Sequence, residues 1–180
     1  MSSPAAATAT ARNALRQFRR NRRGSAAVEF ALVAPVFFAL LFAIIETAII
    51  FFASQVLETI TQDSARMIMT GQAQTASYTE AQFKTYLCGK IPALFNCNDL
   101  YVDVKSYSGF SSVVIADPID AGKNFVPNMS YSPGKAGDIV VVRVFYQWPL
   151  FVTGLGYNIA NLTGSKRLLS ATAAFRNEPF

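Results

Sequence analysis

One uninterrupted apolar run dominates the sequence and limits what the chain can fold into. Residues 26–53 form 28 consecutive positions with only two charged side chains, Glu29 and Glu46. At about 1.5 Å of rise per residue, a helix of this length can cross a bilayer core of roughly 30 Å. The run therefore predicts a single membrane-spanning helix, with its lipid-facing part ending at about residue 53.

The basic residues are distributed unevenly on the two sides of this run. The chain has 16 Lys and Arg and 11 Asp and Glu, but six of the basic residues and none of the acidic ones precede residue 25. The cluster nearest the run is Arg19, Arg20, Arg22 and Arg23. Because basic flanks are retained in the cytoplasm, this cluster predicts a cytoplasmic N-terminus and an exported C-terminal part. Residues 25–180 have a net charge of −1, so the high pI does not indicate a nucleic-acid partner.

Helical periodicity continues beyond the apolar run. From Val56 to Ile68, apolar residues recur at spacings of three and four, with charged and amide side chains between them. Gly71 then favours the end of a helix. The sequence predicts one long helix over residues 25–71, whose second part presents an amphipathic face to an exported domain over residues 72–180.

The exported domain has the composition of a small α+β unit. Tyr78–Ile91 reads as an amphipathic helix with Thr79 as its N-cap, and residues 117–137 read as a loop. Alternating or continuous apolar patterns predict strands over 99–107, 110–116, 138–148 and 168–176. We expect these strands to form an antiparallel sheet that packs on the long helix. The apolar stretch 148–164 between the last two strands predicts core or membrane-proximal packing.

The residues that carry most catalytic and metal chemistry are few. The sequence contains no histidine, which excludes Ser-His-Asp and Cys-His nucleophiles and leaves no zinc ligand set. We therefore expect no enzyme, no cofactor and no metal site. Cys88 and Cys97 predict a disulfide if the domain reaches an oxidising compartment, and two free thiols if it stays in the cytosol.

The N-terminus admits more than one interpretation. A cleavable secretory signal is disfavoured, because the apolar core is too long and no convincing small-residue cleavage site follows it. A plain uncleaved anchor, whose exported domain binds a ligand or an envelope partner, fits the bulk pattern and leaves Gly24 and Glu29 as accidents. A prepilin-type leader over residues 1–24 uses both residues.

Three stretches carry a resemblance to a known family. "SAAVEFALVAPVF" after Gly24 places Glu29 at the fifth position of a cleaved chain and Phe30 directly after it. "SARMIMTG" (64–71) and "ATAAFRNEPF" (171–180) complete the pattern. In these stretches the chain resembles the TadE-like family of the tight-adherence (Flp) pilus system, whose members are pseudopilins or minor pilins.

This resemblance implies a specific maturation. A membrane aspartyl prepilin peptidase would cut between Gly24 and Ser25 on the cytoplasmic side of the bacterial inner membrane, leaving residues 72–180 in the periplasm. The new amine of Ser25 would lie near Glu29, and in pilins such a pairing is thought to help set subunit register. The implied partners are membrane lipid, the peptidase, other pilins or pseudopilins and the assembly platform, with incorporation into an extracellular pilus as one outcome. Glu46 is interpreted as a carboxylate at the outer edge of the bilayer.

Overall fold

A computed structural model of the protein describes residues 24–91, 94–154 and 157–180. The elements within them are three α-helices and three β-strands, with short 3-10 turns at Cys97–Asp99 and Phe110–Ser112. The helices are α1 (Ser25–Met69), α2 (Gln72–Thr75) and α3 (Glu80–Lys90), and the strands are β1 (Leu100–Tyr107), β2 (Ile139–Pro149) and β3 (Lys166–Arg176). The chain divides into two units, Met1–Phe42 and Ala43–Phe180. A long apolar N-terminal helix followed by a small antiparallel sheet domain confirms the predicted α+β class.

Helix α1 ends where the sequence predicts. Its last helical residue is Met69, and Gly71 adopts a left-handed backbone with φ of 74°. This conformation is typical of the residue just after a helix, and glycine adopts it without the steric cost that a Cβ brings.

The core of the second unit lies between α1 and one face of the sheet. Strand β2 is central and pairs antiparallel with both β1 and β3. A stripe of α1 side chains at spacings of three to five residues packs on the inward-facing residues of the strands. The stripe is Ile50, Ala53, Leu57, Ile60, Ala65 and Ile68, and the strand residues are Val102, Val104, Val140, Val142, Val144, Tyr146, Leu169 and Ala171.

Three of the four predicted strands form, and the prediction for Phe110–Ala116 is wrong. That segment begins as a 3-10 turn, and Phe110, Val114 and Ile115 are exposed. A strand needs an edge to pair with, and Ser130–Ser132 occupies the outer edge of β1 at Val104 through two backbone hydrogen bonds of 2.7 and 2.8 Å. The predicted loop over 117–137 is confirmed, since it contains no named strand.

A buried ion pair on the opposite face of the sheet holds this loop. Asp103 on β1 faces Arg143 on β2, and the two side chains are 1% and 7% exposed. The Arg143 guanidinium donates to the Asp103 carboxylate at 2.7 and 3.2 Å and to the Ala116 carbonyl at 2.8 Å. The same carboxylate accepts the Ser130 amide at 3.0 Å. The ion pair therefore joins the loop to the sheet at Ala116, just before the loop begins, and at Ser130 within it.

Candidate functional site

The residues predicted for processing stand together at the start of α1. Gly24 is exposed, and a side chain added there would meet no atom within 4 Å. Ser25 begins the helix, and its hydroxyl donates to the Glu29 carboxylate at 2.8 Å. Residues four apart lie on the same helix face, so the helix places the Ser25 end of the chain one turn from the acid. Phe30 is 67% exposed.

The basic leader predicted to set topology falls outside the described residues. Arg19, Arg20, Arg22 and Arg23 belong to residues 1–23, so the cytoplasmic placement of this cluster stays a prediction. Cleavage after Gly24 likewise stays a prediction.

The first half of α1 presents apolar side chains on all sides. Among the described residues, α1 is the one helix long and apolar enough to cross a membrane. Large apolar side chains that are more than half exposed continue along it almost to residue 53. They are Val28, Phe30, Leu32, Val33, Val36, Phe37, Leu40, Phe42, Ile44, Phe51 and Phe52. In water such a surface would be unfavourable, and a lipid environment removes that cost.

Glu46, which the sequence interpretation places at the outer edge of the bilayer, is buried against the segment between β2 and β3. It is 7% exposed, and its carboxylate accepts the backbone amides of Phe151 at 2.5 Å and Val152 at 3.2 Å. The next residue of α1 contacts the same segment, because the Thr47 hydroxyl is hydrogen-bonded to the Tyr157 hydroxyl. Glu46 is thus a buried anchor for the segment between β2 and β3.

The packing of that segment can be compared with the prediction that residues 148–164 lie in the core or near the membrane. Trp148 and Leu150 are buried in the core, and the partly buried Ile159 and Ala160 pack against it. Leu162 is buried in a second apolar cluster, with Phe145 and Leu168, whereas Phe151 is 85% exposed. The segment therefore packs in the core over most of its length, contributes to a second cluster near its end and presents one aromatic ring outward.

The other two stretches that carry the family resemblance meet at the end of α1. The amide of Glu178 donates to the Met69 carbonyl at 2.9 Å, which satisfies one of the free carbonyls at the helix end. The ring of Phe180 lies directly over Gly71, and a Cβ at that position would overlap it. The C-terminal tail therefore caps the helix, and glycine is needed at 71 for both its φ and its close contact.

The two cysteines lie at disulfide distance. Their Cα atoms are 5.7 Å apart, and the pair joins the end of α3 to the turn before β1. Helix α3 begins as predicted, with Thr79 accepting the Gln82 amide and the Gln82 side chain accepting the Thr79 amide in a capping box.

The sequence interpretation missed the contact between Glu46 and the β2–β3 segment. One signal was present: an acid in an apolar helix and a long uncharged stretch elsewhere in the chain each lack a polar partner nearby. Nothing in their spacing indicates that they meet, because they are 105 residues apart.

Comparison with known proteins finds a family match in the N-terminal part of the chain. Residues 24–66 match a family model described as TadE-like protein. The match begins at Gly24 and includes Glu29 and Phe30, so it confirms the resemblance for this part of the chain. No curated protein and no solved structure matches.

Proposed function

We propose that this chain, TadE-like over residues 24–66, is a minor pilin or pseudopilin that acts in assembly of a tight-adherence (Flp) pilus. The family match supports involvement in the tight-adherence pilus system. The finer role rests on the geometry at the start of α1.

The observation that carries the proposal is the hydrogen bond between Ser25 and Glu29. A charged group in a membrane helix is costly unless it has a partner. Cleavage after Gly24 creates an ammonium at Ser25, one helical turn from the Glu29 carboxylate, on this subunit or on a neighbouring one. Such a pair fixes the axial position of one apolar helix against another, because any sliding separates the charges.

The remaining parts of the proposal follow from this maturation. A prepilin peptidase removes residues 1–24 on the cytoplasmic side, α1 stays in the inner membrane, and residues 72–180 fold in the periplasm. The partners are membrane lipid, other pilin-type subunits and the assembly platform. The chain acts by helix packing and register, and it catalyses no reaction.

The cleavage is tested by mass spectrometry of the membrane-bound protein from cells with and without the peptidase. We expect Ser25 as the N-terminus only when the peptidase is present. Gly24→Val should block the cut, because a branched side chain keeps an extended backbone from close approach to the enzyme. Ser25→Ala is the matched control and should still be cut. An intact leader in cells that contain the peptidase would refute the proposal and favour a plain anchor.

The register role is tested separately with Glu29→Ala. We expect normal cleavage and membrane insertion and a loss of piliation. The matched control is Glu58→Ala, which removes a carboxylate farther along the same helix whose hydrogen bond in the structure comes from Gln62. If cells with Glu29→Ala assemble pili normally, Glu29 does not set register.

A further inference from the structure

The loop that Glu46 anchors lies beside a part of α1 whose outer surface is apolar. Ile44, Phe51 and Phe52 are 67%, 71% and 62% exposed. The exposed positions that follow on the helix are polar, beginning with Gln55 and Thr59. The change from apolar to polar surface therefore falls near residue 53.

Glu46 lies well inside this boundary. It precedes Ala53 by seven residues, which corresponds to about 10 Å along a helix. Because Glu46 binds the amides of Phe151 and Val152 directly, these two residues share its depth. The loop thus reaches past the boundary toward the apolar part of α1.

Backbone amides at that depth have no water to bind, and leaving one unpaired in hydrocarbon is strongly unfavourable. The buried Glu46 carboxylate accepts the amides of Phe151 and Val152 at the start of the loop. It is itself stabilised by these donors, which explains how an acid is tolerated in an apolar helix. The carboxylate thus gives the loop amides their hydrogen-bond acceptor, and the amides give the carboxylate its donors.

The composition of the loop fits the same environment. From Leu150 to Ser165, all 16 residues between β2 and β3 carry no charge, and Lys166 and Arg167 follow immediately. Phe151 is 85% exposed and is the most exposed large apolar side chain among the described residues. In water this ring would be a cost, and in lipid it contributes to binding.

We propose that the start of this loop, Phe151 and Val152, inserts into the bilayer beside α1 on the side of the exported domain. The partner that these two residues contact is membrane lipid, in the acyl-chain region just below the headgroups. Glu46 is the positioning residue that holds the loop at this depth. The loop therefore fixes the height and rotation of the domain on the membrane, independently of cleavage at Gly24. The proposal rests on α1 crossing the membrane.

The test measures the depth of single fluorescent labels on full-length protein in vesicles of phosphatidylethanolamine and phosphatidylglycerol. With Cys88 and Cys97 joined, one introduced cysteine can be labelled with an environment-sensitive dye. The positions are Phe151→Cys in the loop, Leu40→Cys in α1 and Phe110→Cys as the matched control. Phe110 is 70% exposed and apolar like Phe151, but it follows β1 at the end of the sheet where Tyr107 pairs with Ile139, whereas Phe151 follows the other end of β2. Each label is quenched by spin-labelled acyl chains and by aqueous iodide.

We expect the labels at 151 and 40 to be quenched by the acyl-chain spin label and protected from iodide, and the label at 110 to show the reverse. If 40 responds to lipid and 151 responds to iodide, the loop proposal is overturned and the anchor stands. If the label at 40 is not quenched by the acyl-chain spin label, both the membrane-spanning helix and the loop insertion are refuted. Protection of 151 from both quenchers would indicate a protein partner and overturn insertion, as would lipid quenching at 110.

The role of Glu46 is tested in the Phe151→Cys protein. Glu46→Ala removes the acceptor, so we expect the label at 151 to lose lipid quenching and gain iodide quenching. Glu46→Gln keeps one acceptor oxygen and should restore part of the lipid quenching. Glu58→Ala is the matched control and should change neither signal. A label that stays equally deep in Glu46→Ala would show that Glu46 does not position the loop.

Discussion

The strongest structural prediction concerns the buried pair between Asp103 and Arg143. In the variant Arg143→Met, the aliphatic part of the side chain is kept and the guanidinium is removed. This change leaves a carboxylate that is 1% exposed without its two guanidinium donors. It also removes the hydrogen bond to the Ala116 carbonyl.

The expected cost follows from what remains around the carboxylate. Breaking a buried ion pair by removing one partner typically costs about 3–5 kcal/mol. Here the Lys105 ammonium lies 3.3 Å from the same carboxylate oxygen, and the Ser130 amide still donates to the other oxygen. These contacts offset part of the loss, so we expect Arg143→Met to lower the free energy of unfolding by about 2–4 kcal/mol.

Two further variants test whether the loss of stability comes from leaving a buried charge unpaired. Lys105→Met removes a cation that is 29% exposed, and such partly solvated pairs contribute about 0–1 kcal/mol. The double variant Asp103→Leu with Arg143→Met removes both charges, and we expect it to be more stable than Arg143→Met alone, because no unpaired charge stays buried.

The assay is denaturant unfolding of the full chain in detergent micelles. Trp148 is the single tryptophan of the sequence and is buried in the core between the sheet and α1, so its emission reports unfolding of this domain. Equal and small losses in Arg143→Met and Lys105→Met would show that the guanidinium is not a buried partner and would refute the reasoning.

Three other perturbations give separate outcomes. Gly71→Ala should lower the free energy of unfolding by about 1–3 kcal/mol, because of the left-handed φ at 71 and the overlap of a Cβ with the ring of Phe180. Gly89→Ala, in α3 where a Cβ meets no other atom, should be neutral or slightly stabilising. Equal effects of the two changes would contradict this. Burial raises the pKa of Tyr131 to about 12, so the neutral phenol contributes stability that is complete below pH 10, the ordinary pKa, and is lost as pH rises toward 12. Tyr131→Phe should flatten alkaline unfolding in that window and cost little at neutral pH, since the buried hydroxyl has no hydrogen-bond partner among the described residues; an unchanged alkaline slope would count against it. Reduction of the Cys88–Cys97 bond, which spans nine positions, should lower the free energy of unfolding by about 2–3 kcal/mol in a chain-entropy estimate, and Cys88→Ser with Cys97→Ser should be insensitive to reductant.

Much of the fold can be predicted from the sequence because its signals are local. The apolar run, the spacing of the stripe up to Ile68 and the glycine at 71 determine α1, and continuous apolar patterns determine β1, β2 and β3. The capping box at Thr79 is also readable, since both of its partners lie within four residues.

The incorrect strand at Phe110–Ala116 shows where local signals fail. Its composition favours a strand, but the edge of β1 that it would need is taken by residues 130–132. Competition for an edge is a property of the folded sheet and leaves no mark in a short window. The buried role of Glu46 was missed for the same reason, because its partners lie more than 100 residues away.

The way in which the ion pair holds the outer loop determines how freely that surface can change. Arg143 binds the carbonyl of Ala116, and Asp103 binds the amide of Ser130. Both are main-chain groups that nearly every residue type supplies. Side chains at the two bound positions can therefore be replaced without losing these two main-chain bonds, although the Ser130 hydroxyl also donates to Asp103 at 3.3 Å. Ile119, Phe125 and Met129 have less freedom, because they pack around Phe145 on the outer face of the sheet. We therefore expect sequence variation, whether natural or engineered for display, to accumulate at the other positions of the loop.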